Sequence, residues 1–179
     1  MVPMIYKYAG TVAEEDILIA GWWSRMRELD HLARLFGDAN FTPGALFNLM
    51  KPPTDLWYIL EDGHISATCW VNPFMGGPSL GIWGPGRMHQ LLPIFRAVSR
   101  LVFQHAPVIV SITCQPNLVA LFARVGYTLI GEAPELYFGK TAYICTLRRD
   151  DFFRCNPEPI DGVESEVFII GREDQRRVA

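Results

Sequence analysis

The sequence predicts an α/β (α+β) fold: a mixed central sheet of six to seven strands flanked by about four helices. Three observations predict it. Stretches with apolar residues at every second position alternate with stretches where they recur at steps of three and four. The run Pro107 to Cys114 has the composition of a central parallel strand covered on both faces. The chain has 179 residues, 50% of them hydrophobic and 20% charged, enough for one packed core without disulfides or a structural metal.

Residues 4–9 alternate apolar and polar and read as a first short strand. Thr11 is placed to cap a helix, with Glu14 three residues on to complete a capping box. Ile19, Trp22, Met26, Leu29, Ala33 and Phe36 then mark one apolar face, which Gly37 and Asp38 end. Thr42 and Pro43 open a short second helix, and Lys51, Pro52 and Pro53 stop it. Strands follow at 56–60 and 65–71, joined through Asp62 and Gly63 as a hairpin. Residues 72–78 read as a loop and 79–84 as a third strand. A helix is expected over 91–105, with Pro93 in its first turn, then the central strand 107–114. Pro116 to Val125 reads as a helix capped by Gly126. Two more strands follow, from 127 and over 141–147.

Composition excludes some classes. No run approaches the ~20 apolar residues of a membrane-spanning helix. The N-terminus lacks the basic region and long apolar core of a secretory signal. Cys69, Cys114, Cys145 and Cys155 have no C-x-x-C spacing, so they read as reduced core residues, with no metal expected. These features together predict a cytoplasmic protein. Charge is uneven along the chain. Residues 1–62 carry five basic and nine acidic side chains, and 132–179 carry seven and ten. Residues 63–131 carry four arginines and no carboxylate. That middle is either a buried sheet and helix, or a locally positive surface for an anionic cofactor or a nucleic acid.

The element order, and above all Gln115-Pro116-Asn117-Leu118-Val119-Ala120-Leu121-Phe122-Ala123-Arg124-Val125-Gly126-Tyr127-Thr128-Leu129-Ile130-Gly131-Glu132, resembles the GNAT superfamily of acyl-CoA-dependent N-acyltransferases. The spacing from Gln115 to Gly126 matches the family's Asn-to-Gly spacing. The resemblance covers roughly 4–152 and implies a GNAT-like domain over 1–153. Residues 154–179 are expected to be a loose extension, or to dock as an edge strand through 167–170.

The resemblance implies acetyl-CoA, or another acyl-CoA, as cofactor. Its pantetheine would pair with the backbone of Ile82, Trp83 and Gly84 on a splayed strand. Its pyrophosphate would meet the loop of Gly86, Arg87, Met88 and Gln90 at a helix N-terminus. The chain departs from the family there, since Met88 and Gln90 stand where small residues are usual. Phe122 stands where the family often has a proton-donating tyrosine. That leaves Tyr127 and His89 as the catalytic candidates, with His64, His105, Asp55, Glu132 and Tyr137 as further titratable groups near strand ends. Trp57, Trp70 and Trp83 fall on successive strands, as a large core or as a cleft that stacks a flat substrate.

The implied activity is acetyl transfer to a primary amine on a small molecule or a protein. Two other functions stay open. One is a GNAT-fold enzyme modifying DNA or a nucleobase through the 63–131 region, by similarity to proteins of phages and mobile elements. The other is a catalytically silent binding or assembly protein. No membrane partner is expected.

Overall fold

A computed structural model describes residues 4–74, 76–86 and 91–157, with the backbone of Ile169–Ile170. The strands are β1 (Ile5–Lys7), β2 (Asp55–Glu61), β3 (His64–Phe74), β4 (Gly77–Trp83), β5 (Val108–Thr113), β6 (Thr128–Tyr137), β7 (Lys140–Arg148) and β8 (Ile169–Ile170). They form one sheet in the order β6-β7-β5-β4-β3-β2-β1-β8. The central strand β5 runs parallel to β4 and antiparallel to β7. β1 pairs antiparallel with β2, and β8 parallel with β1.

The predicted helices are all present. Thr42 caps α4 (Pro43–Leu49), α5 is Leu92–Val102, and α6 (Pro116–Val125) ends at Gly126 with φ 106°. The first helix differs from its expected form. It begins as α1 (Val12–Leu18), widens into a π turn over Ile19–Trp23, and continues as α2 (Ser24–Glu28). The wide turn lies where the helix meets β3 most closely: a Cβ on Gly21 would sit 2.8 Å from Ile65 Cγ1. It keeps Leu18, Trp22 and Met26, four residues apart, fully buried. At Asp30 the backbone turns left-handed (φ 56°), and α3 (His31–Phe36) sets off anew. The predicted stripe therefore breaks: Leu32 is buried, while Leu29, Ala33 and Phe36 are half-buried.

Two further elements differ. The expected loop at 72–78 is largely strand, with Pro73 opposite Pro78 at the far end of the β3–β4 ladder. Proline's φ suits an extended chain, and its missing N–H costs little where the ladder is ending. After β7 the chain forms α7 (Arg149–Cys155), which the sequence reading left out. Phe152 buries its ring against Phe103. Asn156 Nδ2 donates to the carbonyls of Val125 and Phe152 at 2.8 and 2.9 Å.

The sheet is covered on both sides. α5, α6 and α7 pack over Trp57, Ile59, Leu80, Ile82, Ile109 and Leu147. α1 to α4 pack over Leu56, Tyr58, Ile65 and Trp83. Cys69 and Cys145 are buried free thiols, as expected of core residues, and burial raises both thiol pKa values; against that expectation Cys114 is half-buried and Cys155, at the end of α7, is exposed. The tryptophans split between the faces: Trp57 and Trp83 are buried on opposite sides, and Trp70 lies 6.0 Å from Trp22. Those three indoles are packing groups and form no common stacking cleft. No helix among the described residues is long and apolar enough to cross a membrane.

One carboxylate ties α1 to the sheet. Glu14, 8% exposed, accepts from the N–H groups of Ala9 and Thr11, the Thr11 hydroxyl and the Tyr58 hydroxyl, at 2.9–3.2 Å. The Thr11 hydroxyl in turn accepts from the Glu14 N–H, closing the predicted capping box. Replacing Glu14 by alanine strands several of these donors, one of them the buried Tyr58 hydroxyl. The expected cost is about 3 kcal/mol of unfolding free energy, read from urea denaturation with an unchanged m-value.

Candidate functional site

β4 and β5 share a single ladder position, Ser79 opposite Val110. Beyond it β4 stays paired with β3 through Trp83, and β5 stays paired with β7 through Thr113. The two strands therefore part while each remains held on its outer side. The backbone of Gly81 to Trp83 on one strand, and of Ile112 to Thr113 on the other, faces the gap without a strand partner across it.

Side chains hold the apex of that gap. Ser111 Oγ donates to the Leu80 carbonyl at 2.9 Å, bridging the strands one residue past their last pairing. The Tyr127 hydroxyl lies 3.1 Å from the same Ser111 oxygen. Since the serine proton is given to Leu80, the tyrosine is the donor in that second bond. Beneath it the rings of Phe95, Phe122 and Tyr127 stack with centroids 5.1–5.5 Å apart. Burial pushes the Tyr127 phenol pKa far above its ordinary 10.

The end of β4 is tightly built. A Cβ on Gly81 would lie 2.2 Å from the Trp70 ring, and one on Gly84 would lie 2.4 Å from Leu91. Gly84 and Gly86 begin the loop to α5. Arg87, Met88, His89 and Gln90 lie outside the described residues.

No protein-family model and no curated protein matches the chain by sequence. Solved structures match by shape. AAC(6')-Ib in complex with ribostamycin and coenzyme A gives a TM-score of 0.62 at 11% identity, over 87% of this chain and 99% of its own. An aminoglycoside N(6')acetyltransferase of Legionella pneumophila gives 0.62 at 12%, over 86% and 97%. An N-acetyltransferase of Staphylococcus aureus gives 0.61 at 10%, over 80% and 98%. The chain has the GNAT fold.

On this GNAT scaffold Ile82 and Trp83 end the splayed strand, Gly84 follows as the first loop residue, and Tyr127 stands at the apex of the gap. His64 and His105 are exposed, at the first position of β3 and past the end of α5. Of the arginines in the carboxylate-free middle, Arg100 has a structural task. It donates to the carbonyls of Asn156 and Pro157 and lies over the rings of Phe152 and Phe153.

The sequence reading passed over a second group, on the α1–α4 side. Trp83 Nε1 donates to His31 Nδ1 at 3.0 Å, anchoring the start of α3 to the end of β4. That bond assigns the imidazole proton to Nε2, so His31 is a neutral donor. Burial, then the charge of Arg34, lowers its pKa below the ordinary 6.5. Across the gap, the Tyr137 hydroxyl at the end of β6 donates to the Leu35 carbonyl at 3.4 Å. Phe138 lies against the bare α-carbon of Gly37, where a Cβ would come within 2.4 Å of its ring. Burial pushes the Tyr137 phenol up to about 12. α3 and the β6–β7 hairpin thus meet over the ends of the parted strands. The signal in the sequence was the i, i+3 pair His31 and Arg34, masked by the expectation of an unbroken helix.

Two outcomes check this geometry. Ser111→Ala strands the Tyr127 hydroxyl and should cost about 2 kcal/mol, but distinctly less in a Tyr127→Phe background, as a double-mutant cycle in urea would show. The second concerns pH. A histidine with a lowered folded pKa stabilises fully above its unfolded value near 6.5, and that stability is lost as pH falls toward the folded value. Relative to His31→Gln, which keeps an acceptor for Trp83 but does not titrate, the wild type should lose urea resistance between pH 7 and 5. A relative gain would refute the tautomer assignment.

Proposed function

We propose that this protein is an acyl-CoA-dependent N-acyltransferase that acetylates a primary amine on a small molecule. The observation that carries the proposal is the parting of β4 and β5 after Ser79 and Val110, which leaves two unpaired backbone edges facing a gap. Amide groups of a pantetheine arm suit such edges, because a strand edge presents N–H and C=O groups in the repeat an extended amide chain needs. The free edge of β4 fits such an arm. The free edge of Ile82, Trp83 and Gly84 would hold the arm, and the loop of Gly86, Arg87, Met88 and Gln90 would face the pyrophosphate, with Arg87 supplying charge. The shape neighbours solved with coenzyme A support the same reading.

Bound acyl-CoA would supply a thioester: the amine nitrogen bonds the acyl carbon as the carbon–sulfur bond breaks, and the proton shed by nitrogen is balanced by one gained at sulfur. Tyr127 enters the proposal as a hydrogen-bond donor at the apex and not as an acid. Its phenol holds its proton far more strongly than a thiol with a pKa of about 8.5 does. Tyr127→Phe should then lower kcat less than about tenfold, against the 10²–10⁴ of a true general acid. His31 is held as a donor, so the base falls to His89.

Calorimetric titration with coenzyme A and acetyl-CoA tests the whole proposal. Binding is expected, with Arg87→Ala weakening it by about 1.5–3 kcal/mol. Failure of both ligands to bind at millimolar concentration would sink the transferase and leave the silent-fold alternative.

A further inference from the structure

The acceptor side of the gap has a chemistry of its own. His31 and Arg34 stand three apart on α3 and share one face. His31 is fixed to the end of β4 through Trp83, and Leu35, next to Arg34, receives the Tyr137 hydroxyl from the hairpin. That face therefore spans the mouth from β4 to the β6–β7 hairpin. Cys114, just past the end of β5, is half-buried.

Arg34 Nε is buried and has no hydrogen-bond partner, and among the described residues Arg34 forms no ion pair. It stands one turn from His31 on α3 and next to Leu35, the residue that receives the Tyr137 hydroxyl. An anion arriving at the guanidinium would supply the partner it lacks. His31 adds a second donor, its Nε2–H, while the Tyr137 hydroxyl spends its proton on the Leu35 carbonyl and gives an anion nothing. Residues 63–131, which include all of β4 and β5, contain no carboxylate. The nearby carboxylates are engaged or outside: Glu28 pairs with Arg25 at 2.7 Å, and Asp30, Asp38, Glu132 and Glu135 are exposed. The mouth thus offers donors to an anion and little to a polycation.

We propose that the acceptor is an amine that also carries a carboxylate, of the α-amino acid kind, with the carboxylate seated on Arg34 and the amine directed toward the parting of β4 and β5. The inference rests on the acyl-transfer reading for the fate of the amine, but the carboxylate subsite is testable without it. It also separates this chain from an acceptor such as an aminoglycoside, whose several ammonium groups call for carboxylates.

The test is an NMR titration of the isotope-labelled protein, without coenzyme A, against a panel of α-amino acids, 2-phenylethylamine and kanamycin. At least one amino acid should bind, and L-phenylalanine should bind at least about tenfold more tightly than 2-phenylethylamine, which lacks only the carboxylate. In Arg34→Met, checked for folding by its thermal transition, that preference should vanish; Arg34→Lys should restore part of it. Equal affinity for the matched pair, tighter binding of kanamycin, a preference that survives in folded Arg34→Met, or no amino acid binding at about 10 mM would each overturn the inference. Calorimetry with acetyl-CoA is run alongside. Amino acid binding without coenzyme A binding keeps the subsite and rejects the transferase, and the converse keeps the transferase and rejects the subsite.

Discussion

Between β4 and β5 the backbone ladder ends after one position, and a side-chain hydroxyl takes over. Ser111 Oγ reaches the Leu80 carbonyl, so the strands stay joined for one further residue before they separate. Both can part without falling away because each keeps its ladder on the other side, β4 with β3 and β5 with β7. Unpaired strand edges are costly when buried. An opening of this kind persists where water or a ligand can reach those groups, and that makes the opening the place to look for chemistry.

What lies under the opening keeps it from collapsing. Phe95 from α5, Phe122 from α6 and Tyr127 from the chain entering β6 form one aromatic stack, and the Tyr127 hydroxyl rises from it to Ser111. Phe122 and Tyr127 are adjacent in this stack, so the hydroxyl absent from Phe122 has a neighbour one ring away. Burial has made that phenol a donor that keeps its proton. The stack thus joins packing to the electrostatics of the apex.

On the opposite face the break at Asp30 decides the site. A helix continuing straight from α2 would not have produced α3 as a separate element with His31 on Trp83. With the turn, α3 spans from the end of β4 to the β6–β7 hairpin, where Gly37 accepts the Phe138 ring against its backbone. Helix and hairpin are far apart in sequence, and both contacts depend on small local features: a left-handed residue at 30 and a missing side chain at 37.

Most of the fold was determined by sequence alone, because local physics specifies it. Thr11 and Glu14, Thr42 and Pro43, Asp62 and Gly63, and Gly126 each mark an element end through a cap or a positive φ that depends on near neighbours. The alternation within β2, β3 and β7 and the apolar run of β5 set those strands, and the segment from Gln115 to Glu132 carried the family resemblance. Tertiary structure decided the rest. The π turn answers to Ile65, and α7 is held by Phe103, Val125 and Arg100, partners distant in sequence that no periodicity reports. The candidate site divides the same way. Tyr127 was legible from its motif. Ser111 looked like one more polar residue in a strand, and His31 and Arg34 like the outer face of a helix. Their roles arise from a strand that leaves its neighbour and a helix that turns, and both events are settled by packing across the whole sheet.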